Sequence, residues 1–93
     1  MGYVFEWDSW KAATNARKHG VTFDDATTVF GEMHGLLMAD IDHSADEARY
    51  LLLGLSTRHR LLVVAFVERT PRTRLISARR ANWSERKRYE EKN

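Results

Sequence analysis

The sequence predicts a single α+β domain over residues 1–93, in which helices pack on one face of a curved, mainly antiparallel sheet. Three observations support this fold class. Helix capping signals bound residues 8–31 and 82–93, apolar and polar residues alternate between these segments, and the turns joining the later strands are too short for crossover helices. A chain of 93 residues also has room for only one modest core.

The N-terminal segment predicts a short strand and then two helices. Residues 3–5 form the strand, Asp8 is the N-cap of a helix that ends near His19, and Gly20 supplies the left-handed position after it. Residues at positions i, i+4 and i+7 of this helix predict an exposed polar stripe. The stripe consists of Lys11, Asn15 and Lys18.

The second helix begins with the capping-box spacing of Thr22 and Asp25. Four strands and a last helix, which Asn82 and Glu85 cap, complete the predicted order β-α-α-β-β-β-β-α. Because so small a domain needs aromatic residues in its core, Trp7 and Trp83 are expected to be packed rather than exposed. The four later strands span residues 36–39, 48–56, 60–68 and 73–79.

The composition excludes several classes of protein. The chain has no cysteine, which excludes disulfides and thiolate metal sites, and its longest apolar run, residues 61–67, is too short to cross a membrane. Residues 1–23 lack the features of a secretory signal, so we expect a cytoplasmic protein without membrane contact. Residues 24–48 contain seven acidic and no basic side chains, whereas residues 49–93 contain twelve basic and four acidic ones. The C-terminal half therefore predicts a surface that attracts phosphate.

An ordered set of short motifs runs along nearly the whole chain. The motif residues are Phe5-Glu6-Trp7-Asp8, Lys11, Asn15, Lys18-His19-Gly20-Val21, Phe23, His43-Ser44, Glu47, Arg49, Gly54, Arg74-Leu75-Ile76-Ser77-Ala78-Arg79, Ala81, Glu85 and Tyr89. With these residues and the gaps between them, the sequence resembles the BrnT family of toxins. One position departs from the family pattern, because Arg58 and His59 stand in the turn before Arg60 where a glycine is expected.

The resemblance implies a ribonuclease toxin with a RelE-like fold, which belongs to a type II toxin-antitoxin system. It also implies a BrnA-like antitoxin that blocks the toxin and, in complex with it, represses their shared promoter by binding operator DNA. A hetero-tetramer of two toxins and two antitoxins is the expected assembly. RNA is the expected substrate, and no cofactor is expected.

RNA cleavage without a metal needs a base for the ribose 2′-hydroxyl, cations for the charge that builds on the phosphate, and a proton donor for the leaving 5′-oxygen. Arginine suits the second task because its planar fork meets two phosphate oxygens at once. Arg69 ends the central strand and Arg79 ends the last one, so both are expected to face a shared surface. The competing interpretation is that each is a solvated charge at the end of a strand.

Three residues are candidates for proton transfer. His19 lies at a helix C-terminus, where the dipole favours a cationic imidazole, and Lys18 beside it supplies charge or acts as a base. The competing role for this pair is to cap the free carbonyls of the helix. His43 lies in a polar loop with Asp42, Ser44 and Glu47, and a nearby carboxylate fixes the tautomer of an imidazole. Local hydrogen bonding within the loop is the alternative.

Four further residues are expected to contact the substrate: Arg49, Arg60, Arg74 and Ser77. Ser77 alternates with Leu75 and Arg79 and is expected to share their face of the sheet. A metal site at Asp40, Asp42 and His43 is a weak pattern, so no metal ligand is predicted. The alternative to a nuclease is a non-catalytic module that pairs with an antitoxin and binds operator DNA or RNA through dispersed basic residues.

Overall fold

Within residues 2–93 of the computed structural model, the protein is an α+β domain with three α-helices and one five-stranded sheet, which confirms the predicted class. The structure describes residues 2–93, and Met1, the first residue of the predicted domain, lies outside the described residues. In chain order the elements are β1 (Val4–Glu6), α1 (Ser9–His19), α2 (Phe23–Thr27), a 3-10 helix (Thr28–Gly31), β2 (Leu36–Ala39), a second 3-10 helix (Ile41–His43), β3 (Arg49–Leu55), β4 (Leu61–Arg69), β5 (Arg72–Arg80) and α3 (Trp83–Lys92).

The sheet is mixed, with strand order β1-β5-β4-β3-β2. β1 runs parallel to β5 and pairs only with residues 72–74, whereas the other neighbouring strands are antiparallel. The pairing of β4 with β5 shifts by one residue, because Ala65 faces Ser77 while Phe66 faces Leu75. Ile76 is therefore the extra residue of a β-bulge. The bulge places Leu75 on the opposite face of the sheet from Ser77, so the expectation that these two share a face is wrong.

Helices cover both faces of the sheet, and the expectation that they all pack on one face is wrong. Leu62, Val64 and Phe66 of β4 contact the core formed with α2 and the following 3-10 helix. Leu61 and Val63 alternate with them and pack on the other face, against Tyr89 of α3. This second face is covered by α3 only near Val63. At its other end, around Val67, the face is open.

α1 lies beside the edge of β5, beyond the point where β1 ends. The buried Asn15 amide donates to the carbonyls of Val21 at 2.9 Å and Ala78 at 2.8 Å, and its oxygen accepts from the Ala78 amide at 3.0 Å. Asn15 thus continues the hydrogen bonding of the strand edge, and its predicted place on an exposed stripe is wrong. Lys11 and Lys18 are exposed, as predicted.

The helix caps agree with the sequence, but one of the two tryptophan expectations does not. Asp8 caps α1, Gly20 adopts the left-handed conformation with φ 69°, and Asn82 and Glu85 form the capping box of α3. Trp7 packs edge-on against a core phenylalanine, whereas Trp83 is 74% exposed. The α3 residue that reaches the core is six positions after Trp83, on a different face of the helix.

His59 lies in the turn before Arg60, where the family resemblance leads us to expect a glycine. Its φ is 63°, which is strained for a residue with a Cβ and unstrained for glycine. We expect His59→Gly to raise the free energy of unfolding by up to about 1 kcal/mol and the melting temperature by a few degrees. Calorimetry against Arg58→Gly provides the control, because Arg58 has an ordinary φ and glycine there only adds freedom to the unfolded chain. Equal changes in the free energy of unfolding for the two variants would contradict the inference that the backbone at His59 is strained.

Candidate functional site

The open end of the second sheet face holds a polar cavity of about 380 Å³. Basic residues from five different elements line it, together with the carboxylates of Asp46 and Glu47. Val67 and Ile76 contribute apolar surface. We call it the basic pocket and define it by Lys11, His43, Arg49, Arg69 and Arg74.

The strand register explains why three arginines meet here. Val67 of β4 lies directly opposite Arg49 of β3 and Arg74 of β5, so these three residues form one row across the sheet. Neighbouring strands lie about 4.8 Å apart, which puts the Cα atoms of the two arginines about 10 Å apart. Arg69 lies two residues beyond Val67 and therefore on the same face. The register thus collects cations that are far apart in sequence.

The cations of the basic pocket differ in how far carboxylates neutralise them. Arg69 donates two hydrogen bonds of 2.9 Å to Glu47; these lower the pKa of Glu47 and raise that of Arg69. Arg74 lies 3.4 Å from a carboxylate oxygen of Glu6. Arg49 makes no ion pair within residues 2–93, and its Nε is buried without a hydrogen-bond partner. Arg49 is therefore the arginine of the pocket that no direct ion pair among the described residues neutralises.

His43 is paired with a carboxylate at the rim of the basic pocket. Its Nδ1 lies 3.0 Å and 3.1 Å from the two carboxylate oxygens of Asp40. An ionised carboxylate only accepts, so Nδ1 carries the hydrogen and Nε2 of the neutral ring keeps its lone pair. The sequence interpretation expected a carboxylate from the same loop, but the partner is Asp40 rather than Asp42 or Glu47. The arrangement suits a group that accepts a proton at Nε2.

A second cavity, of about 280 Å³, adjoins the basic pocket along α1. The two cavities share Lys11 and Ile76 as lining residues. We call it the α1 cleft and define it by Trp10, Lys11, Thr14, Lys18, His19 and Ser77. The predicted proton-transfer residues Lys18 and His19 therefore lie with the predicted contact residue Ser77, next to but apart from His43 and Arg49.

Arg79 does not join Arg69 in one phosphate site. Because β4 and β5 are antiparallel, the two strands end at opposite ends of the sheet, and seven residues of β5 separate Arg79 from the position opposite Arg69. At about 3.3 Å per residue this is roughly 20 Å. Arg79 also forms a two-bond ion pair with Glu85 of the α3 capping box, at 2.8 Å and 2.9 Å, which lowers the pKa of Glu85. The two arginines share a face of the sheet, as expected, because Arg79 lies opposite Val63 and Arg69 follows it by six residues on β4, but they are too far apart to hold one phosphate.

Arg60, predicted to bind substrate, is held in an ion pair within the fold, outside both cavities. Its guanidinium contacts the buried carboxylate of Asp25 at 3.0 Å and donates to the carbonyl of Gly20 at 3.1 Å. Removing one partner of such a pair leaves an uncompensated buried charge, which makes this contact structural. Asp25 therefore does not complete a capping box, although Thr22 caps α2 as predicted.

Lys11 and Asp40 belong to the candidate site but are not among the predicted catalytic or contact residues, and the sequence indicates Asp40 only as a possible metal ligand. Lys11 belongs to the opening motif of the family resemblance, and Asp40 lies three residues before His43 in a 3-10 turn, so the sequence carried a signal for each of them.

Within residues 2–93, no group of three or more His, Asp or Glu side chains is arranged to hold a metal ion. No helix in the same range is long and apolar enough to span a membrane.

Comparison with known proteins identifies the family. A family model described as "Ribonuclease toxin, BrnT, of type II toxin-antitoxin system" matches residues 7–85, a range that includes both cavities. The chain belongs to the BrnT family. It is thus a member of a ribonuclease toxin family, and a type II system implies an antitoxin partner.

A solved structure agrees with this assignment at the level of the fold. The crystal structure of the Brucella abortus ribonuclease toxin BrnT is similar with a TM-score of 0.66 and 24% sequence identity, over 88% of this chain and 99% of that chain. No curated protein sequence matches the chain. The BrnT family and its fold are therefore established, whereas the roles of individual residues depend on the geometry of this structure.

Proposed function

We propose that the protein is an endoribonuclease that cleaves RNA in the basic pocket, without a metal ion, by attack of a ribose 2′-hydroxyl on the adjacent phosphate. The observation that carries the proposal is the His43–Asp40 pair beside Arg49, whose buried Nε has no partner. A base of defined tautomer and a cation without a direct ion pair, at one cavity, are two of the three groups that this reaction requires.

The strand order suggests which side chain performs which step of the reaction. His43 follows β2, at one edge of the sheet, while Lys11 belongs to α1 beyond β5, so they occupy opposite walls of the pocket with the arginines between them. Nε2 of His43 takes the 2′-hydroxyl proton as the 2′-oxygen bonds to phosphorus. Lys11 donates a proton to the 5′-oxygen as its bond to phosphorus breaks. The products are a 2′,3′-cyclic phosphate and a 5′-hydroxyl.

Arg49 and Arg74 flank the phosphate in this proposal, and Arg69 contributes when its pairing with Glu47 loosens. Lys18, His19 and Ser77 bind the RNA next to the cleaved bond rather than transfer the proton from the 2′-hydroxyl. Arg60 and Arg79 take no direct part, because both are held in ion pairs away from the basic pocket.

The wild-type protein is expected to arrest growth and degrade RNA when its expression is induced in a bacterial host, and Arg49→Ala is expected to weaken both effects. In purified form, Arg49→Ala should lower the cleavage rate by about 10²- to 10³-fold, the usual loss on removing one preorganised charge from a transition state. Arg86→Ala, an exposed arginine of α3 outside both cavities, is the matched control and should cleave normally. Wild-type protein that leaves growth and RNA untouched would overturn the proposal in favour of a non-catalytic binding module.

Cleavage is expected to persist in excess EDTA, because His43, Lys11 and Arg49 supply the base, the acid and the cation. The measurement is the cleavage rate of a labelled RNA by protein purified in chelator, with and without added Mn²⁺. Loss of activity in EDTA that Mn²⁺ restores would contradict this mechanism and point to metal binding at Asp40, Asp42 and His43.

We further infer that the antitoxin implied by family membership is BrnA-like, that two toxins and two antitoxins form the complex, and that this complex binds operator DNA. We also propose a RelE-like classification for the fold, since two N-terminal helices and a C-terminal helix pack on a mainly antiparallel sheet. A cytoplasmic location fits an RNA substrate.

A further inference from the structure

The α1 cleft is a cationic cavity that, apart from the shared Lys11, supplies no group that transfers a proton or flanks the cleaved phosphate in the proposed reaction. Lys11 and Lys18 lie seven residues apart on α1, about 10 Å along the helix axis, and His19 lies beside Lys18. The hydroxyls of Thr14 and Ser77 also line the cleft, and no carboxylate does. A cavity with several donors and no acidic group suits an anionic ligand rather than a basic protein segment.

Trp10 forms the rim of this cleft and is 71% exposed. One face of its ring carries the Arg17 guanidinium, whose carbon lies 5.9 Å from the ring centre. A large aromatic ring exposed beside phosphate-binding groups is the arrangement that single-stranded nucleic acid uses, because every base has a face that can stack. The side chain packs on no core cluster, so it is available for such a contact.

The α1 cleft and the basic pocket are continuous through Lys11 and Ile76. A strand whose phosphate sits at Arg49 therefore places an adjoining nucleotide in the α1 cleft. We propose that the α1 cleft binds a nucleotide flanking the cleaved phosphate, with its base stacked on Trp10 and its phosphate held by Lys18 and Ser77. This inference rests on the proposed function in taking RNA as the substrate and the basic pocket as the place where the phosphate lies.

The test is the affinity of the full chain for a short single-stranded 2′-O-methyl RNA, which binds but lacks the attacking hydroxyl. Trp10→Ala is expected to weaken binding by about 5- to 150-fold, the range for the loss of one stacked base, whereas Trp10→Phe stays close to wild type. Trp83→Ala is the matched control. Trp83 is equally exposed and has Lys87 over its ring at 5.1 Å, but it lies outside both cavities.

A second ligand separates stacking from charge. With an abasic strand of the same length, wild type and Trp10→Ala should bind equally, while Lys18→Ala should still weaken binding. Equal affinities of Trp10→Ala and Trp83→Ala for the base-containing strand would overturn the inference and indicate that Trp10 contacts a protein partner rather than a base. The 2′-O-methyl strand cannot be cleaved, so its binding is measured independently of catalysis. If the wild-type protein binds this strand through Trp10 but does not cut ordinary RNA, the proposed function is wrong while the nucleotide-binding subsite is supported.

Discussion

Replacing His43 by alanine is expected to lower the rate of RNA cleavage by about 10²- to 10⁴-fold, the contribution of a positioned general base. Asp40 holds the hydrogen of the ring on Nδ1, so Nε2 is the acceptor that alanine removes. The side chain is 64% exposed and contacts no core cluster, so the variant should fold and bind RNA like wild type. Single-turnover cleavage, measured together with affinity for 2′-O-methyl RNA, separates the loss of chemistry from a loss of binding.

Two further variants identify which imidazole is the base. Asp40→Asn keeps the shape of the partner but removes its charge and is expected to cost about 10- to 100-fold, as for other groups that orient a functional histidine. His19→Ala, in the α1 cleft, should reduce cleavage far less than His43→Ala. If His19→Ala proved as damaging as His43→Ala, the base would have to be reassigned to the cleft.

The strands could be predicted closely from alternation, but what covers each face could not. The run Leu61–Val67 indicates a strand buried on both faces, and the structure buries all seven residues. Nothing in that run says that α2 covers one face and α3 part of the other. That arrangement depends on Tyr89, which joins Leu53, Leu61 and Val63 in one apolar cluster although it is distant from them in sequence. This partial cover leaves the basic pocket open.

Which residues form the candidate site was harder to predict than the positive charge of the surface around it. Arg69 and Arg79 look equivalent in sequence because each ends a strand, yet antiparallel pairing sends them to opposite ends of the sheet. Ion-pair partners that decide which arginines are free, such as Glu47 for Arg69 and Asp25 for Arg60, lie 22 and 35 residues away in the chain. The composition predicts a basic surface, whereas selecting Arg49 requires the tertiary structure.

Asn15 shows the same limit within a single helix. Its spacing from Lys11 and Lys18 suggests one polar face, but a helix can place a residue four positions on at the margin of that face, where it meets the neighbouring strand. β1 pairs with β5 only as far as residue 74, so the edge at Ala78 lacks a strand partner, and the Asn15 side chain supplies the missing donor and acceptor. Asn15 therefore satisfies backbone groups at the edge of the sheet and does not belong to the solvent-exposed face of the helix.

Asn15→Ala is expected to lower the free energy of unfolding by about 3 to 5 kcal/mol and the melting temperature by roughly 10 °C or more, because three buried backbone groups lose their partner at once. Asn15→Leu fills the volume without restoring any hydrogen bond and should be at least as damaging, which separates lost bonding from a cavity. Asn82→Ala is the matched asparagine control, since it loses one exposed helix cap worth about 1 kcal/mol. Urea unfolding of the three variants checks the order, and an Asn15→Leu protein as stable as wild type would show that the edge of β5 does not depend on this amide.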